Sequence, residues 1–178
     1  MSDLPAVTIE TPVGDFTVHI ETGQAPVTSA NFLAYVDAGA YNGGRFHRTV
    51  TPDNQPDDTI KIAVVQGSVN EVIQSEDTQP IPLERSTSTG LNHLDGAISM
   101  ARRDPDSAKS DFFICVGDQP ELDFGGKRNP DGQGFAAFGR VTSGMEVVRA
   151  INEAPKEGQR LMPPVPIISV RRKTESGV

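Results

Sequence analysis

Glycine and proline divide this chain into short apolar runs, a spacing that allows many strands and few helices. The 178 residues include 17 glycines and 14 prolines, and both residue types interrupt regular structure. Eight runs between them are rich in β-branched and aromatic residues, which favour strands. They cover residues 6–10, 15–20, 45–50, 60–65, 97–101, 112–116, 135–141 and 167–171.

Only two segments have helical spacing. The first opens at Pro26, which suits the first position of a helix, and ends before Gly39. The second begins at Ser143, whose hydroxyl would form a capping box with the carboxylate of Glu146, and it stops at Pro155. Because closure of a sheet removes its exposed edges, this pattern predicts a mainly β fold, a closed eight-stranded barrel capped by two α-helices.

The charge of the chain excludes several kinds of partner. Sixteen lysines and arginines stand against 24 aspartates and glutamates, a net charge of −8, and an acidic surface repels nucleic acid and anionic membranes. The sequence has no apolar run of about eighteen residues to span a bilayer and no signal-peptide pattern. We therefore expect a cytoplasmic monomer with a single domain over residues 1–178, a core at about 6–172 and a disordered tail at 173–178.

The motifs of several common enzyme classes are missing. The sequence contains no Gly-x-Ser-x-Gly, no P-loop and no dinucleotide-binding Gly-x-Gly-x-x-Gly. His19, His47 and His93 lie in different segments without the spacing of metal ligands. The single cysteine, Cys115, lies in an apolar run where a thiol packs as a small hydrophobic side chain. We expect no cofactor, no metal and no internal disulfide.

Two pairs of segments carry a more specific pattern. One pair is Phe-His-Arg at 46–48 followed by Val-Gln-Gly at 65–67, and the other is Gly-Ala-Ile-Ser-Met-Ala at 96–101 followed by Ser-Asp-Phe-Phe-Ile-Cys at 110–115. In this order they resemble the cyclophilin family of peptidyl-prolyl cis-trans isomerases, and segments 82–85 and 117–134 resemble its bacterial members. The resemblance implies a closed eight-stranded antiparallel β-barrel capped by two α-helices. It also implies an enzyme that accelerates rotation about X-Pro peptide bonds and so assists protein folding.

The resemblance also implies a catalytic pair. Arg48 matches the arginine that donates to the prolyl nitrogen while the amide rotates, and Gln66 matches the glutamine that orients it. Phe113 matches the aromatic floor of the proline pocket. Residue type alone also allows structural roles for these three residues. Arg48 could form a surface ion pair, Gln66 could face solvent from a strand, and Phe113 could pack in the ordinary hydrophobic core.

Substrate binding would involve a larger set of positions, several of which depart from the usual family pattern. Ala63 and Val64 stand where Phe and Met are common, which predicts a shallower pocket and weaker substrate binding. Arg102 and Asp111 replace neutral Asn and Gln, and Ala101 with the backbone at Arg102 would pair with an extended peptide. The full predicted set is Ala63, Val64, Met100, Ala101, Arg102, Asp111, Phe113, Leu122 and Phe135.

Asp111 leaves two hypotheses open. It could pair with Arg102 across the groove, which leaves Arg48 free for catalysis, or it could pair with Arg48 and hold the guanidinium in the wrong place. In the second case the protein would be a proline-peptide binding module with little or no turnover. The expected ligands are Pro-containing peptides and unfolded or flexible protein segments. Cyclosporin binding should be weak, because the chain has no Trp and Glu121 stands near the place of the drug-binding Trp of sensitive members.

Overall fold

The computed structural model describes residues 4–70, 72 and 79–173, and most of its regular structure is β. Its ten strands are β1 (Ala6–Thr11), β2 (Gly14–Ile20), β3 (Arg45–Val50), β4 (Val64–Ser68), β5 (Ala97–Met100), β6 (Phe112–Cys115), β7 (Ala137–Ser143), β8 (Lys156–Glu157), β9 (Arg160–Pro166) and β10 (Ser169–Arg172). The three helices in these residues are α1 (Pro26–Asp37), α2 (Ser86–Thr89) and α3 (Met145–Asn152). A 3₁₀ turn covers Pro120–Leu122.

The strands form one antiparallel sheet in the order β10-β1-β2-β7-β5-β6-β4-β3-β9-β8. The prediction of eight strands in a closed barrel is not confirmed, because the described residues form ten strands and no ladder among them joins β8 to β10. The two additional strands are β8 and β9. The sequence pattern missed β9 because Pro163, Pro164 and Pro166 lie in it, and proline is usually excluded from strands. In the described part of the sheet β8 pairs only with Arg160 and Leu161, so the prolines lie at an edge, where proline is tolerated.

Both predicted helices exist, but the second is capped differently. Helix α1 begins at Pro26 and ends at Asp37 as the pattern predicts. The predicted capping box is wrong: Ser143 is the last residue of β7, and α3 has Gly144 at its N-cap with no side-chain cap hydrogen bond. Gly144 has φ 86°, and a Cβ there would lie 2.6 Å from the Asp15 carbonyl oxygen. Only glycine fits this turn without strain.

The sheet separates two apolar clusters, and alternation along β6 assigns its aromatic residues to different ones. Phe112 belongs to the main core, where its ring makes edge contacts with the rings of Phe32, Tyr41 and Phe46. Phe113 belongs to a smaller cluster with Val50, Ile62, Val64, Ala97, Cys115 and Leu122. The smaller cluster lies under the site described next.

Helix α1 packs against β10 and β7, and α3 against β2, β3 and β4. None of the described helices combines the length and the apolar character that crossing a bilayer requires. Of the tail predicted at 173–178, residues 174–178 lie outside the described part of the chain.

Candidate active site

A row of three side chains crosses neighbouring strands of the sheet. Arg48 of β3 is in register with Gln66 of β4, and Gln66 is in register with Phe113 of β6. The register of β3 shifts between Phe46 and Arg48, so His47 lies in a bulge. Bulges change the direction of side chains beside them. The sheet thus brings together residues from three separate segments of the sequence.

The Arg48 guanidinium is held by two amide oxygens. Its Nε donates to Gln159 Oε1 at 2.9 Å and its Nη1 donates to Gln66 Oε1 at 3.0 Å. Burial lowers the pKa of Arg48, and the nearby Arg128 lowers it further. Among the described residues no carboxylate lies within ion-pair distance of Arg48, so the surface ion pair considered from the sequence is not formed.

Asp111 contacts neither arginine that the sequence offered as its partner. Its Oδ2 accepts a hydrogen bond from Gln66 Nε2 at 3.0 Å and lies 3.5 Å from His47 Nε2. Both ends of the Gln66 amide are therefore used, which fixes the orientation of its oxygen toward Arg48. The hypothesis of an Asp111–Arg48 pair is wrong, because the Gln66 side chain lies between the two groups. The hypothesis of an Asp111–Arg102 pair is also wrong, because Arg102 pairs with Asp131.

Arg102 is held on the other side of the site. It makes a two-pronged ion pair with Asp131, at 2.9 and 3.1 Å, and its Nε donates to the Gly134 carbonyl oxygen at 3.1 Å. Its guanidinium lies 4.7 Å from the centre of the Phe135 ring. Phe135 in turn meets the Phe113 ring edge-on, with ring centres 5.5 Å apart. Arg102 therefore stabilises one wall of the site.

His93 supports the Phe113 ring from behind, which the sequence did not indicate. The two rings are stacked at 6.0 Å and 11°. His93 is 1% exposed, its Nδ1 lies 2.7 Å from Asp123 Oδ1, and its Nε2 lies 2.9 Å from Ser99 Oγ. Both ring nitrogens are therefore used within the fold. No signal in the sequence links these residues, because the contacts depend on the path of segment 117–134.

Five of the side chains described above line a central cavity of about 290 Å³: Arg48, Gln66, Arg102, Phe113 and Phe135. Eight of the predicted site residues reach it: Arg48, Val64, Gln66, Ala101, Arg102, Phe113, Leu122 and Phe135. Three do not: Met100 lies in the main core, Asp111 contacts the site through Gln66, and Ala63 is not among the lining residues. Ile62, Arg128, Asn129 and Pro130 also line the cavity, and sequence reasoning missed them.

Arg128 reaches the cavity from segment 117–134. Its guanidinium lies 3.3 Å from Asp58 and donates to the Ile60 carbonyl oxygen and to the side chain of Gln55. These bonds join segment 117–134 to residues 55–60, between β3 and β4, at one edge of the cavity. The contacts explain how the part of segment 117–134 that follows the 3₁₀ turn can hold a fixed position.

The remaining chemistry of the site is limited. Cys115 is fully buried in the cluster below Phe113, and burial raises the pKa of its thiol well above the usual range. The predicted packing role of Cys115 agrees with this position. Among the described residues no three His, Cys, Asp or Glu side chains are grouped as metal ligands would be.

The family described as "Cyclophilin type peptidyl-prolyl cis-trans isomerase/CLD" matches residues 6–172 of this chain. The chain belongs to the cyclophilin family. It is 33% identical over 165 residues to the peptidyl-prolyl cis-trans isomerase cyp18 of Streptomyces antibioticus, covering 92% of this chain and 93% of that protein. It is 36% identical over 152 residues to peptidyl-prolyl cis-trans isomerase A of Dickeya dadantii, covering 85% and 73% of the two chains.

The structural comparison agrees on the fold. A crystal structure of a cyclophilin type peptidyl-prolyl cis-trans isomerase from Cryptosporidium parvum superposes with a TM-score of 0.77 at 20% identity, covering 97% of this chain and 99% of that one. A second structure of the same protein, obtained in the presence of the dipeptide Ala-Pro, gives a TM-score of 0.75. This cyclophilin resembles bacterial members, and it is a peptidyl-prolyl cis-trans isomerase.

Proposed function

We propose that Arg48 and Gln66 catalyse rotation about the X-Pro bond of a segment whose proline ring lies on Phe113. Rotation breaks the amide resonance, which sets a barrier of about 18–20 kcal/mol. In the rotating state the prolyl nitrogen becomes pyramidal and regains a lone pair. An N–H group directed at this nitrogen stabilises the rotating state more than either planar state, and no covalent step is needed.

One observation carries this proposal: a guanidinium fixed through its Nε and Nη1 atoms lines the same cavity as the Phe113 ring. Gln66 and Gln159 hold Nη1 and Nε, and among the described residues Nη2 has no hydrogen-bond partner. A donor held in this way has less orientational freedom to lose when the substrate reacts. The preorganised guanidinium supports turnover over simple binding.

The substrate residues follow from the same geometry. Phe113 would form the floor under the proline ring, with Val64 and Leu122 as apolar walls and Phe135 at the side. We assign backbone pairing with the peptide to Ala101 and Arg102. Ile62 would take the place in the pocket that the sequence assigned to Ala63, and Met100 and Asp111 would act from behind the lining residues.

The wider role we propose is assistance in the folding of Pro-containing chains in the cytoplasm, by a monomer whose residues 1–178 form a single domain. Support for the single domain comes from the 6–172 match and from the coverage of the Streptomyces relative. We also propose weak cyclosporin binding. The Glu121 carboxylate accepts a hydrogen bond from the Lys127 backbone at 2.9 Å, and a carboxylate cannot supply the N–H of a tryptophan.

We propose in addition that the sheet curls into a barrel. Isolated hydrogen bonds, and not a strand ladder, would connect the two ends of the strand order. The Val170 backbone N–H of β10 donates to Asn42 Oδ1 at 2.9 Å, and the Gly43 backbone N–H donates to the Ile167 carbonyl oxygen at 2.9 Å. These contacts bring β10 beside the segment that leads into β3. One apolar cluster includes Val170 of β10, at one end of the strand order, and Val165 of β9, next to the other end.

The test is two-dimensional NMR exchange spectroscopy on short Ala-Pro and Phe-Pro peptides with catalytic amounts of protein. The wild type should accelerate cis-trans exchange, and Arg48→Ala should lose most of the acceleration. Arg140→Ala is the matched control, because Arg140 lies on β7 outside the cavity. Equal acceleration by wild type and Arg48→Ala would overturn the assignment of Arg48. A submicromolar dissociation constant for cyclosporin would overturn the proposal of weak cyclosporin binding.

A further inference from the structure

The central cavity continues into two further cavities and forms one groove with them. It shares Arg48 with a cavity of about 770 Å³, the β9-side cavity, whose lining also includes Arg45, Gln159 and Arg160. It shares Arg102 with a cavity of about 590 Å³, the loop-side cavity, whose lining also includes Arg103 and Lys109. Asp111 lines both outer cavities. A peptide whose proline occupies the centre would extend along the outer cavities.

The charge of this groove is opposite to that of the protein. Seven of the 16 lysines and arginines line the three cavities, whereas Asp111 is the one aspartate or glutamate among the described residues that does. The protein as a whole has a net charge of −8. Most of the described acidic side chains therefore lie outside the lining of the groove, which is predominantly cationic although the protein is acidic.

Several of these cations are not neutralised by the protein. Arg102 and Arg128 are paired with Asp131 and Asp58. In the described part of the chain no carboxylate lies within ion-pair distance of Arg103, Lys109 or Arg160, and all three are exposed. Such side chains can bind an incoming carboxylate without first breaking an ion pair.

We propose that this groove selects X-Pro segments that carry aspartate or glutamate on either side of the proline. The proposal rests on the function proposed above, because it assumes that the proline occupies the central cavity. Acidic flanks would gain ion pairs in the outer cavities, while the remaining surface repels them and favours approach through the groove. The charge of the groove thus predicts a preference for acidic flanking residues, which the Phe113 floor of the proline pocket does not provide.

The experiment compares three peptides with the same Ala-Pro core, flanked on both sides by glutamates, by glutamines or by lysines. For each peptide kcat/KM is measured by NMR exchange and Kd by chemical-shift titration. Because an exposed ion pair contributes a modest amount, several together predict a kcat/KM about tenfold higher for the glutamate peptide than for the glutamine peptide at low salt. The ratio should approach one at about 0.5 M NaCl, since salt screens exposed charges.

Matched charge-reversal variants locate the effect. Arg103→Glu/Lys109→Glu reverses two charges of the loop-side cavity and should remove most of the preference. Arg171→Glu/Lys173→Glu changes the net charge equally at exposed positions outside the three cavities and should keep it. Arg160→Glu tests the β9-side cavity alone.

The outcomes separate this inference from the proposed function. If the protein isomerises all three peptides with the same kcat/KM and Kd, the charge selection is wrong and the isomerase mechanism stands. If no peptide is isomerised, the mechanism is wrong, and the order of the Kd values still decides the charge selection. An equal loss of preference in both double variants would mean that net charge, and not the groove, is responsible.

Discussion

Gln159 should control the activity although it does not line the central cavity. Its Oε1 accepts the hydrogen bond from Arg48 Nε at 2.9 Å, and its Nε2 donates to the Asn54 carbonyl oxygen at 3.1 Å. Gln159→Ala removes both bonds. The Gln159 carbonyl oxygen still accepts from the Thr49 backbone at 2.8 Å, so the local chain path should remain.

The size of the effect follows from the bond that is lost. A hydrogen bond to a charged group contributes about 1.5–3 kcal/mol, and about 1.4 kcal/mol corresponds to tenfold in rate. Gln66 still holds Nη1 in the variant, so Arg48 keeps part of its orientation. We expect kcat to fall about tenfold with KM changed less than about twofold, because the apolar contacts to proline are untouched.

The assay is NMR exchange at saturating Ala-Pro peptide, with thermal unfolding recorded for every variant. Gln133→Ala is a close control, because Gln133 Oε1 also accepts from an arginine Nε, that of Arg85 at 2.7 Å, outside the cavities. Gln159→Glu keeps an acceptor for Arg48 and should recover much of the rate. A kcat for Gln159→Ala within twofold of wild type, or a loss no larger than that of Gln133→Ala, would refute the positioning role.

Three further predictions concern neighbouring groups. Asp111→Asn should keep most of kcat/KM, because its oxygen can still accept from Gln66, whereas Asp111→Ala should lower it about threefold to tenfold in NMR exchange. His93→Phe should lower the free energy of unfolding in urea by about 2–4 kcal/mol, because the buried bonds to Asp123 and to the Ser99 hydroxyl are lost. Cys115 should not react with a thiol reagent at pH 8 until denaturant is added, because burial disfavours the thiolate.

Each of these three predictions can be contradicted by a specific result. Equal losses for the Asn and Ala variants at position 111 would mean that the carboxylate charge matters and not the hydrogen bond. An unchanged urea midpoint for His93→Phe would show that ring packing on Phe113 suffices without the polar bonds. Labelling of Cys115 at the rate of an exposed thiol under native conditions would contradict its burial.

Local patterns predicted much of the fold. The β-branched runs located most of the strands, and Pro26 located the start of α1. The motif around Phe113 predicted its position, because alternation along β6 directs Phe112 and Phe113 to opposite faces. The strand pattern failed at the edge of the sheet. It did not predict β9, the strand that follows Gln159, because β9 contains Pro163 and Pro164.

The site was harder to predict because its geometry depends on contacts between distant segments. The sequence suggested two arginines as ion-pair partners of Asp111, but Asp111 binds the neutral Gln66 amide. A sequence carries no information on which side chain lies between a carboxylate and a distant arginine. Arg128 lies in the loop that follows the 3₁₀ turn, and its position depends on Asp58 in the loop between β3 and β4. Residue type identified the chemistry, whereas the order of contacts required the fold.

The pairing of β1 with β10 has a consequence for how the molecule folds. Val7 lies opposite Arg172, so the first ladder of the sheet joins two segments that are far apart along the chain. Such non-local pairing carries a large loop-closure cost and is associated with slow folding. A circular permutant that joins these two strands by a short turn and opens within 125–132 would convert the ladder into a local hairpin, and should refold faster than the parent chain.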